Sequence, residues 1–199
     1  MKSIEEYFKY KVKTRKQLRE FIEYEMKIYC DYMYPSKSLL FLGLLRQEPV
    51  YKIMLWQRVA RIADYYDYVS HTKKDIFSWI LYQYYSRLRN IRARRIGLEM
   101  TTALIDKGLL VYHYNNVVNS GAIIGQNCHI HGTAVIGNAG PHDLRCPILG
   151  HNIMVGAGAI IIGNVSIADN IKIAAGAVVV SSFYESGITI GGVPARKIK

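Results

Sequence analysis

Five of the six histidines in this chain lie in its second half: His113, His129, His131, His142 and His151. Imidazole is the side chain whose ordinary pKa, near 6.5, lets it take a proton from a hydroxyl at neutral pH and return it. His113 is the best placed for such work. It sits in VYHYNNVV, where aliphatic residues at six-residue spacing give way to a seven-residue step from Val111 to Val118, so the backbone must bulge and expose it. His131 follows eighteen residues later. Two or three histidines gathered at a seam between subunits could also hold zinc, but no carboxylate or cysteine completes a ligand set around them, and no metal is expected. Cys146 follows Arg145, a neighbour able to lower a thiol pKa and favour covalent chemistry. The other reading of Cys146 is a residue that only replaces another.

The elements that position these groups are legible from one period. Val118, Ile124, Ile130 and Ile136 are six apart, and after a break so are Leu149, Val155, Ile161, Ile167, Ile173 and Val179. Ile105 and Val111 lead in irregularly. Six matches neither a helix nor a simple strand. It fits a parallel β-helix with a triangular coil of three hexapeptides, about 18 residues per coil, each sixth side chain pointing inward. His113 and His131 then stack on neighbouring rungs of one edge. Small residues follow many inward positions (Ile124-Gly125, Ile136-Gly137, Val155-Gly156, Ile173-Ala174), as tight corners require. A second inward position carries Ala122, Cys128, Ala134, Ala159, Val165 and Ala177, which makes Cys128 a core residue. The break, GNAGPHDLRCP from Gly137 to Pro147, is polar and leaves the count, and a loop ejected from a regular coil is where ligand contacts are expected. A solenoid with flat sides is expected to self-associate, and three faces favour a trimer.

Before residue 96 the chain has a different character. Glycine occurs once, at Gly43, and charges and tyrosines abound. The expected fold class is therefore α+β, with a helical N-terminal domain over 1–95, a parallel β-helix over 96–190 and a C-terminal tail over 191–199. Helical spacing runs over 3–33 (Ile4, Tyr7, Phe8, Leu18, Phe21, Ile22, Met26, Tyr29), with a turn at Pro35-Ser36-Lys37 and a short apolar segment over 37–46. A second helix should open at Pro49 and run to about Tyr68, with Ile53, Trp56, Val59, Ala60 and Ala63 on one face. A third should span about Lys73 to Arg94. The tyrosine stripes read as core or subunit contacts.

With 26 Lys and Arg against 15 Asp and Glu, the net charge is +11, concentrated at Lys9 to Arg19 and Arg87 to Arg95. A solvated basic face and attraction of an anionic, phosphorylated ligand are both open. No nucleic-acid motif accompanies the charge, and no nucleic-acid partner is expected. Arg87 to Arg95 adjoins Trp79, Tyr82, Tyr84 and Tyr85, a pattern like an interfacial helix; packing on a neighbour is the other reading. No run of 18 uncharged apolar residues exists, so no spanning segment is expected. The opening MKSIEEYFKYKVKTRKQLREF is too charged for a secretory signal. Three scattered cysteines, Cys30, Cys128 and Cys146, imply no disulfide framework. The expected location is cytoplasmic, or peripheral at the membrane surface.

The segments LIDKGLLVYHYNNVVNSGAIIGQNCHIHGTAVIGNAG, LRCPILGHNIMVGAGAIIIGNVSIADNIKIAAGAVVV and GGVPARKI resemble the serine O-acetyltransferases of the hexapeptide acyltransferase superfamily, over roughly 96–199. EPVYKIMLWQRVARIA is similar to the end of that family's helical domain. The resemblance implies a left-handed β-helix, acetyl-CoA as co-substrate, and a homotrimer or dimer of trimers. It puts the catalytic histidine at His113, which would deprotonate an acceptor hydroxyl for direct attack on the thioester. Glu99 is the nearest match to the acidic residue that orients that histidine. Arg145 matches a loop arginine that contacts the acceptor, with Cys146 where the family has histidine. Tyr112 stands where the family has an acidic residue beside the catalytic histidine. Ala157 and Ala175 match positions along the pantetheine arm, and Arg196 and Lys197 suit the nucleotide phosphates. The tail by which long forms of the family dock cysteine synthase is not expected after VPARKIK.

Two acceptors follow. The overall resemblance implies L-serine. Tyr112 and Cys146 suggest a sugar hydroxyl, as in capsule or surface-polysaccharide modification, because a missing carboxylate removes an ammonium contact and a tyrosine can stack on a sugar. A non-enzymatic or metal-binding trimeric solenoid is the rival outside enzymes.

Overall fold

The computed structural model describes residues 12–33, 36, 43, 45–46 and 48–199. Ile4, Tyr7 and Phe8, the turn residues Pro35 and Lys37, and most of segment 37–46 lie outside the described residues. The chain divides into two compact units, Met1–Ile96 and Gly97–Lys199.

In the first unit, α1 runs Arg15–Met33, α2 Pro49–Lys73 and α3 Ile76–Arg95. Each starts where the chain can satisfy or dispense with the free N–H groups of a first turn. Before α1, the Gln17 N–H donates to the Thr14 hydroxyl and the Thr14 N–H to the Gln17 side chain, both at 3.1 Å, a capping box. Pro49 opens α2, where its missing donor is harmless. Asp75 caps α3 by accepting the Phe77 N–H at 3.2 Å and the Ser78 N–H at 2.9 Å. The boundary between α2 and α3 therefore differs from the sequence expectation. α2 continues past Tyr68 to Lys73, Lys74 turns left-handed at φ 50°, and Asp75 starts the next helix.

The apolar face expected on α2 is buried at Ile53, Trp56, Val59, Ala60 and Ala63. A buried ion pair joins α1 to α2, with Arg61 donating to Glu25 at 2.6 Å and lying 5.1 Å over the Phe21 ring. Tyr29 donates to Gln57 at 2.9 Å, and Tyr66 of α2 stacks on Tyr85 of α3 with centroids 5.6 Å apart. These tyrosines are contacts between helices. Among the described residues, no helix is long and apolar enough to cross a membrane.

The second unit is a left-handed parallel β-helix with three faces. The first face stacks β1 (Leu110–Val111), β4 (His129–Ile130), β7 (Met154–Val155), β10 (Lys172–Ile173) and β12 (Thr189–Gly191), closed by antiparallel β13 (Arg196–Lys197). The second stacks β2 (Val117–Val118), β5 (Val135–Gly137), β8 (Ile160–Ile162) and β11 (Val178–Val179). The third stacks β3 (Ile123–Ile124), β6 (Ile148–Leu149) and β9 (Ser166–Ile167). Every aliphatic of the period is buried, in three columns such as Val118, Ile136, Ile161 and Val179. Each such side chain withdrawn from water contributes about 1.5–3 kcal/mol before the entropy of ordering is subtracted. Cys128 belongs to this core: it is fully buried, its Sγ meets the Gly150 carbonyl oxygen at 3.3 Å, and desolvation pushes its thiol up to about 12.

The register records each irregularity. Regular rungs are eighteen residues apart, as Val117 with Val135. The step from Leu110 to His129 is one longer, and the step from Val135 to Ile160 is seven longer because it contains the ejected loop. At another corner Asn127, Asn152 and Asn170 all take left-handed φ (54°, 56°, 61°), which asparagine tolerates better than most residues. Their amides chain from rung to rung at 3.4 and 3.0 Å. The segment expected as a tail turns at Gly192 and returns as β13 along β12.

Candidate active site

The edge between the first and second faces holds His113 together with Ala157 and Ala175. Its rungs are Tyr112 to Tyr114, then His131 to Thr133, then Ala157 and Gly158, then Ala175 and Gly176. They are tied by the Thr133 N–H to the Tyr114 carbonyl (3.4 Å), the Gly158 N–H to the Gly132 carbonyl (3.0 Å) and the Gly176 N–H to the Ala157 carbonyl (2.9 Å). Ala157 and Ala175 are exposed on this edge, as is His113. Gly158 and Gly176 take φ of 69° and 68°, the left-handed geometry in which a Cβ would be strained.

His113 is held by its backbone. The Asn116 amide donates to the His113 carbonyl at 2.8 Å and accepts the Ala134 N–H of the next coil at 2.9 Å. Asn116 is fully buried, so both bonds act shielded from water. Under His113 lies Gly132, where any Cβ would come within 2.7 Å of the histidine Cβ. Asn116 and Gly132 were not singled out in the sequence; the Asn-Asn pair inside the seven-residue step was the available signal.

The bulge also corrects the expected stacking. Leu110 pairs with His129 and Val111 with Ile130, so Tyr112 lies over His131 and His113 over Gly132. The extra residue comes afterwards, at Asn115 and Asn116. Tyr112 stacks flat on His131, with centroids 4.4 Å apart and planes at 5°, whereas His113 and His131 are 6.5 Å apart and tilted. The Tyr112 hydroxyl reaches His129 Nδ1 at 3.2 Å. Burial, then the neighbouring His131, lowers the pKa of His129; burial, then His113, lowers that of His131. Beside the exposed His113, Tyr112, His129 and His131 therefore form an array that disfavours added positive charge. One face of Tyr112 and its hydroxyl are already engaged.

The other expected residues lie elsewhere on the coil. Glu99 pairs with Val117 on the second face, its N–H donating to the Asn116 carbonyl at 2.9 Å. Its carboxylate is exposed and makes no hydrogen bond to His113. Arg145 and Cys146 belong to the loop at the opposite edge of the second face. Arg145 forks onto Asp143 at 2.8 Å through both Nε and Nη2, and this guanidinium holds the Asp143 carboxyl down at about 2. Asn138, accepting from Asn119 at 2.9 Å and donating to the Gly140 carbonyl at 2.8 Å, braces the loop. Cys146 is buried, its Sγ near the Leu144 carbonyl oxygen at 3.5 Å and packed against Gly121. Arg196 and Lys197 are exposed on β13, with Lys197 bound to Glu185 at 2.5 Å. One chain thus brings His113, Ala157 and Ala175 to one edge and keeps Arg145 on another. Among the described residues, no group of three or more His, Cys, Asp or Glu could hold a metal ion.

Fold and edge define a hexapeptide-repeat β-helix preceded by helices, with a histidine on a bulge above a wall of small residues. No protein-family model matches the chain. It is 31% identical over 97 residues to a protein named as the colanic acid biosynthesis acetyltransferase WcaB of Escherichia coli K12, covering 48% of this chain and 60% of that one. It is 37% identical over 98 residues to a serine acetyltransferase of Synechococcus elongatus, covering 48% of this chain and 40% of that one. The alignments therefore span 60% and 40% of these relatives, less than two thirds of either. Soybean serine acetyltransferase has a similar structure, with a TM-score of 0.65 and 27% identity over 91% of this chain and 69% of that one. The chain thus has acetyltransferase homologues, and its architecture is that of the serine acetyltransferases.

Proposed function

We propose that this protein is an acetyl-CoA-dependent O-acetyltransferase with His113 as its general base. The observation that carries the reading is the single edge on which an exposed imidazole stands above Ala157 and Ala175. Small residues let an extended pantetheine arm lie along the coil toward the histidine. Arg196, with Lys197, sits at the far end of the first face, where cations suit the nucleotide phosphates. His113 takes the proton of an acceptor hydroxyl as its oxygen attacks the thioester carbonyl. The C–O bond forms, the C–S bond breaks, and the imidazolium returns the proton to the departing CoA thiolate. The acetyl group passes directly, so Cys146 has no covalent part. Glu99 acts through its backbone N–H, which donates to the Asn116 carbonyl.

Arg145 reaches this chemistry from a neighbouring copy. The loop and His113 flank opposite edges of the second face, so a three-fold arrangement sets the loop edge of one copy beside the histidine edge of the next. The assembly is a homotrimer or a dimer of trimers, working in the cytoplasm.

The acceptor is a sugar hydroxyl. Among the described residues, no carboxylate is bonded to His113 to hold an ammonium; Tyr112, His129 and His131 occupy that wall and disfavour positive charge. The similarity to a protein named for colanic acid biosynthesis supports the same class. L-serine is the second reading, favoured by the likeness to serine acetyltransferases. Thiol release from acetyl-CoA, measured with serine and with a panel of nucleotide sugars and oligosaccharides, decides between them. His113→Ala should lower turnover roughly 10²–10⁴-fold with the fold intact. Undiminished turnover would remove His113 from the mechanism.

A further inference from the structure

The reaction uses nothing from α3, yet α3 has the most unusual surface of the first unit. Among its residues only Ser78 and Ala93 are buried. Ile76, Phe77, Trp79, Ile80 and Tyr84 are between 49% and 69% exposed. With about 100° between residues, these five share one face with Arg87, Arg94 and Arg95, which are also exposed. Over its first nine residues, about 12 Å, the face is apolar apart from the exposed Gln83, and beyond them it is basic apart from the exposed Asn90. Before it come Lys73 and Lys74, both exposed. α3 contains no acidic residue. Asp75, the nearest, is committed to capping the Phe77 and Ser78 N–H groups and accepts from the Ser78 hydroxyl at 2.5 Å.

An apolar patch with cations at both ends calls for an occupant that is apolar within and anionic at its surface. A second copy of this face does not meet that need. In either orientation it brings no acidic residue to these bases, and paired parallel it sets arginines on arginines. We infer that the Ile76–Arg95 face seats this protein on an anionic lipid bilayer, with Phe77, Trp79 and Ile80 among the acyl chains and the flanking bases at the phosphates. Each base near such a surface contributes about 1 kcal/mol, within a Debye length. This goes beyond the proposed transfer reaction and does not depend on it. If both hold, an acceptor carried on a membrane is presented to an enzyme already there.

The chain has two tryptophans, and Trp56 is fully buried, so Trp79 is a built-in reporter. The full chain is mixed with vesicles of phosphatidylcholine, with and without about one third phosphatidylglycerol. Binding is read by co-sedimentation and by the blue shift of Trp79 emission. Expected are a blue shift and pelleting with the anionic vesicles alone, both largely lost in about 0.5 M NaCl. Arg87→Glu/Arg94→Glu/Arg95→Glu should weaken partitioning roughly tenfold or more. Phe77→Ser/Ile80→Ser should remove the blue shift, with α-helical content and thermal unfolding unchanged for both variants. Failure to bind anionic vesicles, or equal binding to both kinds, overturns the proposal. So does a change in oligomeric state by either variant, which assigns the face to a second copy.

Discussion

The two edges flanking the second face of the coil solve different problems. At the first, the backbone is pinned at every rung. Asn116 ties the bulge to Ala134, Gly132 makes room for His113, and the left-handed Gly158 and Gly176 alternate with Ala157 and Ala175 to keep the wall below low. At the second, seven extra residues leave the coil, and the side chain with most reach, Arg145, is folded onto Asp143 rather than onto any part of the first edge. On the proposed mechanism, a rigid edge suits a base that must meet an acceptor hydroxyl in one geometry beside the thioester, and a braced loop suits contact with a variable acceptor.

That division is most directly broken by mixing chains. His113→Ala and Arg145→Ala are each impaired, the first by roughly 10²–10⁴-fold and the second by about ten- to a hundredfold if it contacts the acceptor. In mixed oligomers, some seams combine an intact His113 edge with an intact Arg145 loop. Activity of the mixture should then exceed the sum of the separate variants. A strictly additive result would place the whole site within one chain and end the trimer-seam reading.

A smaller effect tests the pinned edge itself. Asn116→Ala leaves the Ala134 N–H and the His113 carbonyl without partners in a buried corner, a loss of about 1–3 kcal/mol of stability. Because His113 loses its backbone tether, turnover should fall while the KM for acetyl-CoA, read from the wall below, stays close to that of the parent. Chemical unfolding and steady-state kinetics check the two parts separately. Unchanged turnover in a destabilised variant would reduce Asn116 to packing.

Much of this was legible in the sequence, for reasons that particular residues make plain. The period of six picks out the ten column aliphatics from Val118 to Val179, all buried, because the coil punishes a polar residue at any of those positions; it leaves out Ile153 and Ile171, which are buried as well. It also located the loop, the bulge and the packed role of Cys128. It misplaced the partner of His131, because counting back from Ile136 assumes that the extra residue precedes His113. In fact the Asn115-Asn116 pair absorbs it, and left-handed Asn115 (φ 62°) is how. The α2–α3 boundary was misread for a similar reason: Lys74 turns left-handed where no glycine or proline gives warning, and Asp75 was the only local signal. The ion pair of Glu25 with Arg61 joins elements far apart in sequence, and no local pattern announces it.

The first unit supplies a contrast to the rung-by-rung coil. Its described ion pairs include one that is buried, between Glu25 and Arg61. Glu25→Ala should take the buried carboxylate away from the Arg61 guanidinium between α1 and α2 and destabilise the helices by about 3–5 kcal/mol. The change should appear in the helical circular-dichroism signal. Acetyl transfer should persist wherever the coil remains assembled. A coil that unfolds in step with the helices would show instead that the two units share one transition.

The smallest expected effect concerns pH and separates the coil's imidazoles from one another. His129 and His131 are held toward the neutral form by burial, so their folded pKa values lie below the ordinary value near 6.5. Above that value neither the folded nor the unfolded chain binds protons there, and pH has no effect through them. As pH falls through about 6.5, the unfolded chain takes up protons that the folded coil resists, and stability declines until the folded values are also passed. Thermal unfolding of the coil should therefore shift downward on acidification from neutral pH. His129→Gln/His131→Gln should flatten that slope while leaving His113 on its edge. A slope that survives both substitutions would move the titration to other groups and leave the Tyr112–His131 stack with no part in the acid response.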